Sequence, residues 1–287
     1  MKVLDLDLVT NEVARLCIEA NYFIGSDVLK KIKECQTTET SELGKVILSQ
    51  IIENDEIAAR DNVPMCQDTG LVVIFLEIGT EVKINGDIYS AINAGVAKGY
   101  KDGYLRKSVI KHPLDRINTQ DNTPAVIHTK LIPGSDKVKI IVAPKGGGSE
   151  NMSTLKMFKP ADGVEGIKKF VVDSIKNAGG NPCPPIVVGV GIGGNFERCA
   201  ELAKEALLRE IDDINPDPIA SALEAELLKL INDTNVGPQG LGGKTTALAV
   251  KVETQACHFA SLPVAVNLNC HAARHKEVTL WLNWLLH

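Results

Sequence analysis

Three cysteines stand where chemistry is commonly placed. Cys66 lies in Pro64-Met65-Cys66-Gln67-Asp68-Thr69-Gly70, just before an apolar run, and Cys183 lies in Asn181-Pro182-Cys183-Pro184-Pro185, just before another. Cys270 lies in Asn267-Leu268-Asn269-Cys270-His271, just after a third. Loops at strand ends concentrate functional groups. In a reducing compartment such cysteines are core residues, metal or cluster ligands, or nucleophiles. The three are 117 and 87 positions apart, and no two of the seven cysteines form a C-x-x-C pair, so spacing alone leaves these readings open. Cys17 and Cys199 fall inside helix-like sequence, where a small buried hydrophobe is the default. Cys35, near a helix end, and Cys257, beside His258, stay ambiguous.

Three glycine-rich segments could handle anions. Gly189-Val190-Gly191-Ile192-Gly193-Gly194 has the G-x-G-x-x-G spacing after an apolar strand and before a helix, as a dinucleotide fingerprint should. The helix is followed by Asp212-Asp213 and another helix rather than a strand with a ribose-binding acid, so a tight strand-to-helix turn fits better. Gly237-Pro238-Gln239-Gly240-Leu241-Gly242-Gly243-Lys244-Thr245 resembles a phosphate-binding loop. It has one residue too many and precedes a strand, where such a loop must precede a helix. Lys145-Gly146-Gly147-Gly148-Ser149 follows a strand and is equally a plain loop or a backbone cradle for a ligand.

The elements that must position these residues follow from periodicity. Residues 1–60 read as helical: Val13, Leu16, Cys17 and Ala20 recur at helical spacing with Thr10 as cap, Ser26 caps a second helix, and Ser41 caps a third. Strands are expected at Leu71–Ile78, Ala125–Leu131, Val138–Ala143, Ile186–Val190, Thr245–Val252 and Val264–Leu268, and a hairpin at Asn85-Gly86 between Val82–Ile84 and Ile88. Helices are expected at Gly163–Ala178, Phe196–Arg209 and Pro218–Ile231. No internal sequence repeat is visible. The fold class is α/β (mixed α+β): a helical N-terminal part, 1–60, leading into an α/β core with mixed sheets, 61–287, the whole acting as one functional unit.

Composition excludes several classes. A net charge of −5 speaks against a broadly basic nucleic-acid surface, and 4% aromatic residues against a stacking platform for single strands. The apolar runs fall short of the ~18 residues a membrane helix needs. The start, Met1–Thr10, lacks the basic and apolar regions of a secretory signal, so a cytoplasmic protein is expected.

C-Q-D-T-G, K-G-G-G-S, C-P-P, G-P-Q-G-L-G-G-K-T and H-F-A-S-L-P with N-C-H-A-A-R occur here in the order seen in iron–sulfur-dependent hydro-lyases. The chain resembles the alpha subunits of class I fumarate hydratases, with those of L-tartrate dehydratases a close second, over roughly residues 10 to 280. The resemblance implies a 4Fe–4S cluster on Cys66, Cys183 and Cys270 with one iron left open, and reversible hydration of fumarate to (S)-malate. By the same resemblance Gln67, Asp68, Arg106 and Gly147 contact the dicarboxylate substrate. Asp68 is the candidate general base, in competition with a family threonine from the other half of the enzyme, and His258 sits near the active site. Arg274 and His275 receive no role. Single-chain family members continue for roughly another 200 residues beyond the equivalent of His287. A separate beta subunit is therefore implied, with homodimerisation of alpha inside a heterotetramer. The apolar stretch Leu280–Leu286, with Trp281 and Trp284, is the expected contact surface.

Overall fold

The computed structural model describes residues 2–281. In chain order the elements are β1 (Lys2–Leu4), α1 (Leu6–Tyr22), α2 (Ser26–Thr38), α3 (Glu42–Asp61), β2 (Leu71–Gly79), β3 (Val82–Ile84) and α4 (Ile88–Asp102). There follow β4 (Val126–Ile132), β5 (Lys137–Lys145), the single turn α5 (Gly147–Glu150), β6 (Thr154–Phe158), α6 (Gly163–Ala178) and β7 (Ile186–Gly193). The chain continues through α7 (Phe196–Ala206), α8 (Pro218–Asn232), β8 (Ala247–Gln255), β9 (Leu262–Asn269) and β10 (Lys276–Trp281). The fold is mixed α/β, as the periodicity predicts. Its contacts define two compact units: 1–24, 57–146 and 274–287 in the first, 25–56 and 147–273 in the second. The helical N-terminal stretch is thus shared between them, α1 in one and α2 in the other.

The first unit is built on a sheet of order β10-β5-β2-β4. Strand β2 runs parallel to β4 and antiparallel to β5, and β5 runs antiparallel to β10. Val72, Ile74, Leu76, Val138, Ile140 and Val142 alternate along β2 and β5 and join the α1 and α4 residues Val13, Leu16, Ile92 and Val96 in one buried cluster. That alternation is what a sheet with one helix-covered face requires. The second unit has a sheet of order β6-β9-β7-β8, again with a parallel pair, β7 with β8, and antiparallel pairs β7–β9 and β6–β9. Ile186, Val188 and Val190 pack there with Ile167, Val171 and Ile175 of α6 and Leu227 and Ile231 of α8. The two sheets therefore repeat one pairing pattern, although the antiparallel edge strand comes last in the chain in the first sheet and first in the second, and the sequence carries no detectable repeat.

Register fixes the consequence. In the first unit Leu71 faces Lys145, Val73 faces Val126 and Lys276 faces Val142. The loops before β2, β4 and β10 and the loop after β5 therefore meet at one sheet end. In the second, Ile186 faces Ala247, Val187 faces Asn269 and Thr154 faces Val266. The loops before β7, β8 and β6 and the loop after β9 likewise share one end.

Some local expectations are corrected. Asn85-Gly86 makes no hairpin: β3 pairs in parallel with β1, and Asp87 caps α4 by accepting the Tyr89 and Ser90 amides. A capping acid followed by a helix-period run outweighs the turn signal. Helix α1 starts earlier than Thr10, capped by Asp5, while the Thr10 hydroxyl bonds the Leu6 and Ala91 carbonyls. Ser41 caps α3 as expected, its Oγ accepting the Gly44 amide at 3.1 Å. Of the apolar stretch at 280–286, Leu280 is buried and Trp281 is exposed under the Lys137 ammonium, 3.9 Å from the ring centre. The rest, with Trp284, lies outside the described residues.

Candidate functional site

The loop-bearing end of the first sheet gathers Cys66, Gln67, Asp68, Arg106 and Arg274. The 66–70 turn is held from several sides. Its own groups bond inward: the Asp68 amide donates to Cys66 Sγ at 3.4 Å, and the Gly70 amide donates to Asp68 Oδ1 at 3.0 Å. Its carbonyls are gripped from outside. Tyr100 Oη donates to the Thr69 carbonyl and, at 3.0 Å, to the Gly70 carbonyl, while Asn122 Nδ2 donates to the Gly70 carbonyl at 3.1 Å. Arg274 Nη2 donates to the Asp68 carbonyl. Burial pushes the Tyr100 hydroxyl well above its ordinary pKa, so it stays a donor. The Thr69 hydroxyl donates to the Arg106 carbonyl at 3.0 Å, which ties the exposed Arg106 to the same turn.

Glycine is required beside this turn. Gly70 has φ +80°, and a Cβ there would meet the Lys145 backbone at 2.7 Å. A Cβ on Gly146 would stand 3.2 Å from Asp68 Oδ2. Asp68 is half-buried and Gln67 exposed, and both Lys145 and Arg274 are buried at this end. The local balance is cationic, which suits an anionic ligand.

The corresponding end of the second sheet holds Cys183 and Cys270. Cys183 has φ +53°, and its carbonyl accepts the His271 amide at 3.2 Å, linking the two cysteine loops. None of the seven cysteines forms a disulfide, and Cys66, Cys183 and Cys270 are each half-buried. In the helix cysteines Cys17, Cys35 and Cys199, burial raises the thiol pKa, which keeps them protonated and inert. Gly147 opens the exposed turn α5 at this same sheet end. Among the described residues, no three His, Cys, Asp or Glu side chains of either unit stand close enough to hold a metal ion within that unit.

His258 is not brought to Cys183 and Cys270. It sits on the connection from β8 to β9, beyond Gln255, which faces Gly193 at the far end of β7. The length of β7, about 23 Å at ~3.3 Å per residue, separates the two ends. His258 is exposed, and its Nδ1 accepts the Ala260 amide at 3.2 Å, so the neutral ring carries its proton on Nε2.

The loop of residues 237–245 has a function in the fold. Its nest of amides is filled from within by Glu39, which is 3% exposed. Glu39 Oε1 accepts the Lys244 amide at 2.9 Å and Oε2 the Thr245 amide at 2.7 Å, and the Thr40 and Ser41 amides complete the set. An internal carboxylate thus occupies the place a phosphate would take. From the same loop Gln239 donates through its amide and its Nε2 to the Pro184 carbonyl, bracing the Cys183 turn. Burial would raise the Glu39 pKa, but the amides of Ser41, Lys244 and Thr245 together hold it at about 2, below the ordinary 4.5. A depressed carboxylate contributes stability above its unfolded pKa and loses it as pH falls toward the folded one. Glu39→Gln is therefore expected to cost on the order of 3 kcal/mol at pH 7. Denaturant melts should show the gap from wild type closing between about pH 4.5 and pH 2; a gap independent of pH would refute this account.

Sequence reasoning missed Glu39, Tyr100, Asn122 and Arg274 as parts of this architecture. Each lies far in sequence from the loop it holds, and Glu39, Tyr100 and Asn122 carry no motif of their own.

With the geometry established, known proteins are informative. A family model described as fumarate hydratase (Fumerase) matches residues 10–279. The chain is 45% identical over 272 residues to a Methanocaldococcus jannaschii protein provisionally named as an L(+)-tartrate dehydratase subunit alpha, covering 93% of this chain and 95% of that one. It is 34% identical over 275 residues to the L(+)-tartrate dehydratase subunit alpha of Escherichia coli K12, covering 95% of this chain and 90% of the relative.

Proposed function

Because the chain belongs to the fumarate hydratase (Fumerase) family, we propose that it is the alpha subunit of a hydro-lyase interconverting fumarate and (S)-malate, completed by a separate beta subunit. The observation that carries this reading is the family match from residue 10 to 279, which spans both sheets and every loop described above. The beta subunit is supported by the names of the relatives, which are alpha subunits.

Cys66, Cys183 and Cys270 are the ligands of a 4Fe–4S cluster in this reading. The donor chemistry fits: the three cysteines are outside any disulfide and half-buried, they sit on strand-end loops, and one already accepts a backbone amide. Thiolates are the usual protein ligands of such clusters. When bound, a cluster with one iron free of thiolate supplies a Lewis acid that polarises the C–O bond of the hydroxy acid. The remaining work falls to the chain's own residues. Gln67, Arg106 and the Gly147 backbone bind the dicarboxylate, the guanidinium suiting a carboxylate by its fork. Asp68 holds the C3 proton as general base, its Oδ1 oriented by the Gly70 amide. The carboxylate next to C3 gains charge as that proton leaves, and fixed cations are most effective there. His258 receives no part in the chemistry at this chain's own Cys183 and Cys270.

L(+)-tartrate is the second substrate reading, and the names of the relatives favour it. It differs from malate by one hydroxyl, so the same machinery serves both. The test is anaerobic turnover by the purified alpha–beta pair with fumarate, (S)-malate and L(+)-tartrate. The proposal expects kcat/KM for fumarate and malate to exceed that for tartrate by at least about tenfold, the discrimination a single polar contact supplies. The reverse ranking would transfer the assignment to tartrate, and a pair that neither hydrates fumarate nor dehydrates malate or tartrate would overturn it.

A further inference from the structure

Arg274 is the side chain whose chemistry the fold leaves incomplete. It is 5% exposed, and apart from Nη2 on the Asp68 carbonyl its donors are idle: Nε and Nη1 are buried with no hydrogen-bond partner. Other arginines show what is missing. Arg15 pairs with Glu12 and Glu19, Arg198 with Glu201 and Glu205, and Arg209 with Asp213, Glu224 and Glu253. Those pairs include half-exposed groups, for which water could have served. Arg274 is buried and has no carboxylate partner, although an unpaired buried charge costs several kcal/mol. Buried polar groups left unsatisfied in a native fold call for a specific reason.

Its position supplies that reason. Arg274 precedes β10, so register places it at the same sheet end as the 66–70 turn. It grips Asp68, the residue whose amide donates to Cys66 Sγ and whose side chain is the candidate base. An anion entering that end would meet donors already desolvated and aligned. We propose that Arg274 is the built-in cation for an anionic acceptor held at the Cys66–Asp68 turn, and that by the same grip it positions Asp68. The proposal rests on the hydro-lyase reading. The acceptor has two possible sources, a thiolate or sulfide of the cluster or a carboxylate of the substrate.

The experiment uses the cluster-loaded alpha–beta pair as wild type, Arg274→Lys and Arg274→Met, prepared anaerobically. Iron and sulfide per chain, the reduced-cluster paramagnetic resonance spectrum, KM and kcat for (S)-malate, and thermal melting are measured on each. Arg274→Lys keeps the charge but loses the planar fork and some reach, so it covers the case in which Arg274→Met does not fold. If the acceptor belongs to the cluster, the variants hold less iron and sulfide or show a shifted spectrum without substrate. If it belongs to the substrate, the cluster is unchanged and KM for malate rises about 10- to 100-fold, the equivalent of one charge-assisted bond. Unmoved cluster content, spectrum and KM, with only a lower melting temperature, would overturn the proposal and leave Arg274 a structural post. A wild type that takes up no iron and sulfide would instead refute the cluster reading itself, a failure visible before any variant is made.

Discussion

Cys183→Ala, prepared anaerobically with its beta subunit, is expected to retain less than about one per cent of wild-type turnover. Losing a residue that merely supports a metal ligand typically costs 10–100-fold, and losing a ligand costs more. Iron and sulfide per chain should fall in parallel. Cys66→Ala and Cys270→Ala should behave alike, since a cluster with three protein ligands has none to spare. The substitution leaves the local fold in place. The Cys183 turn is held by backbone groups, its amide on the Gly180 carbonyl and its carbonyl on the His271 amide, and Gln239 braces the next residue, through the Pro184 carbonyl, independently of the sulfur. Cys17→Ala and Cys199→Ala are the controls. Their thiols are pushed up by burial and lie in helices α1 and α7, so iron content should stay at the wild-type level while stability falls modestly. A Cys183→Ala enzyme with full iron content and normal rate would refute the ligand assignment.

Strong periodicity carried most of the elements, and chain topology was the part hidden from it. Gly163–Ala178 emerges with the expected bounds because its apolar stripe and closing glycine agree. Strands β6 and β10 escaped notice because each is a short edge strand with mixed exposure, where alternation is too weak to register. The cysteines at strand ends were legible, because Pro, Gly and polar residues mark such loops locally. The convergence of four loops at each sheet end was not legible. It depends on pairings such as Leu71 with Lys145 and Val187 with Asn269, which join residues more than seventy positions apart. His258 illustrates the limit from the other side: its sequence neighbourhood points to the site, while the direction of β8 carries it to the opposite end of the sheet.

The glycine fingerprint of β7 has the second large expected effect, on stability and not on nucleotide binding. Gly189 and Gly191 are two apart on a strand, so they share one face, and that face meets α7. A Cβ on Gly189 would stand 2.0 Å from the Ala203 carbonyl oxygen, and one on Gly191 2.0 Å from the Cys199 carbonyl oxygen. Both obstacles are helix backbone, which cannot rotate away as a side chain would. The spacing is therefore a packing device that lets a helix lie directly on the strand. Gly191→Ala should force α7 outward from Ala265 and Leu155, with which Cys199 and Ala203 pack. Overpacking of this kind costs roughly 3 kcal/mol, or about 5–10 °C in melting temperature. Gly134→Ala separates space from conformation. Gly134 has φ +69° with nothing within 4 Å of a Cβ, so only backbone strain of about 1–2 kcal/mol applies there. Calorimetry of the two variants should rank Gly191→Ala as clearly the less stable. The dinucleotide reading makes the opposite forecast, a near-normal melt with altered NAD binding, and that result would restore it.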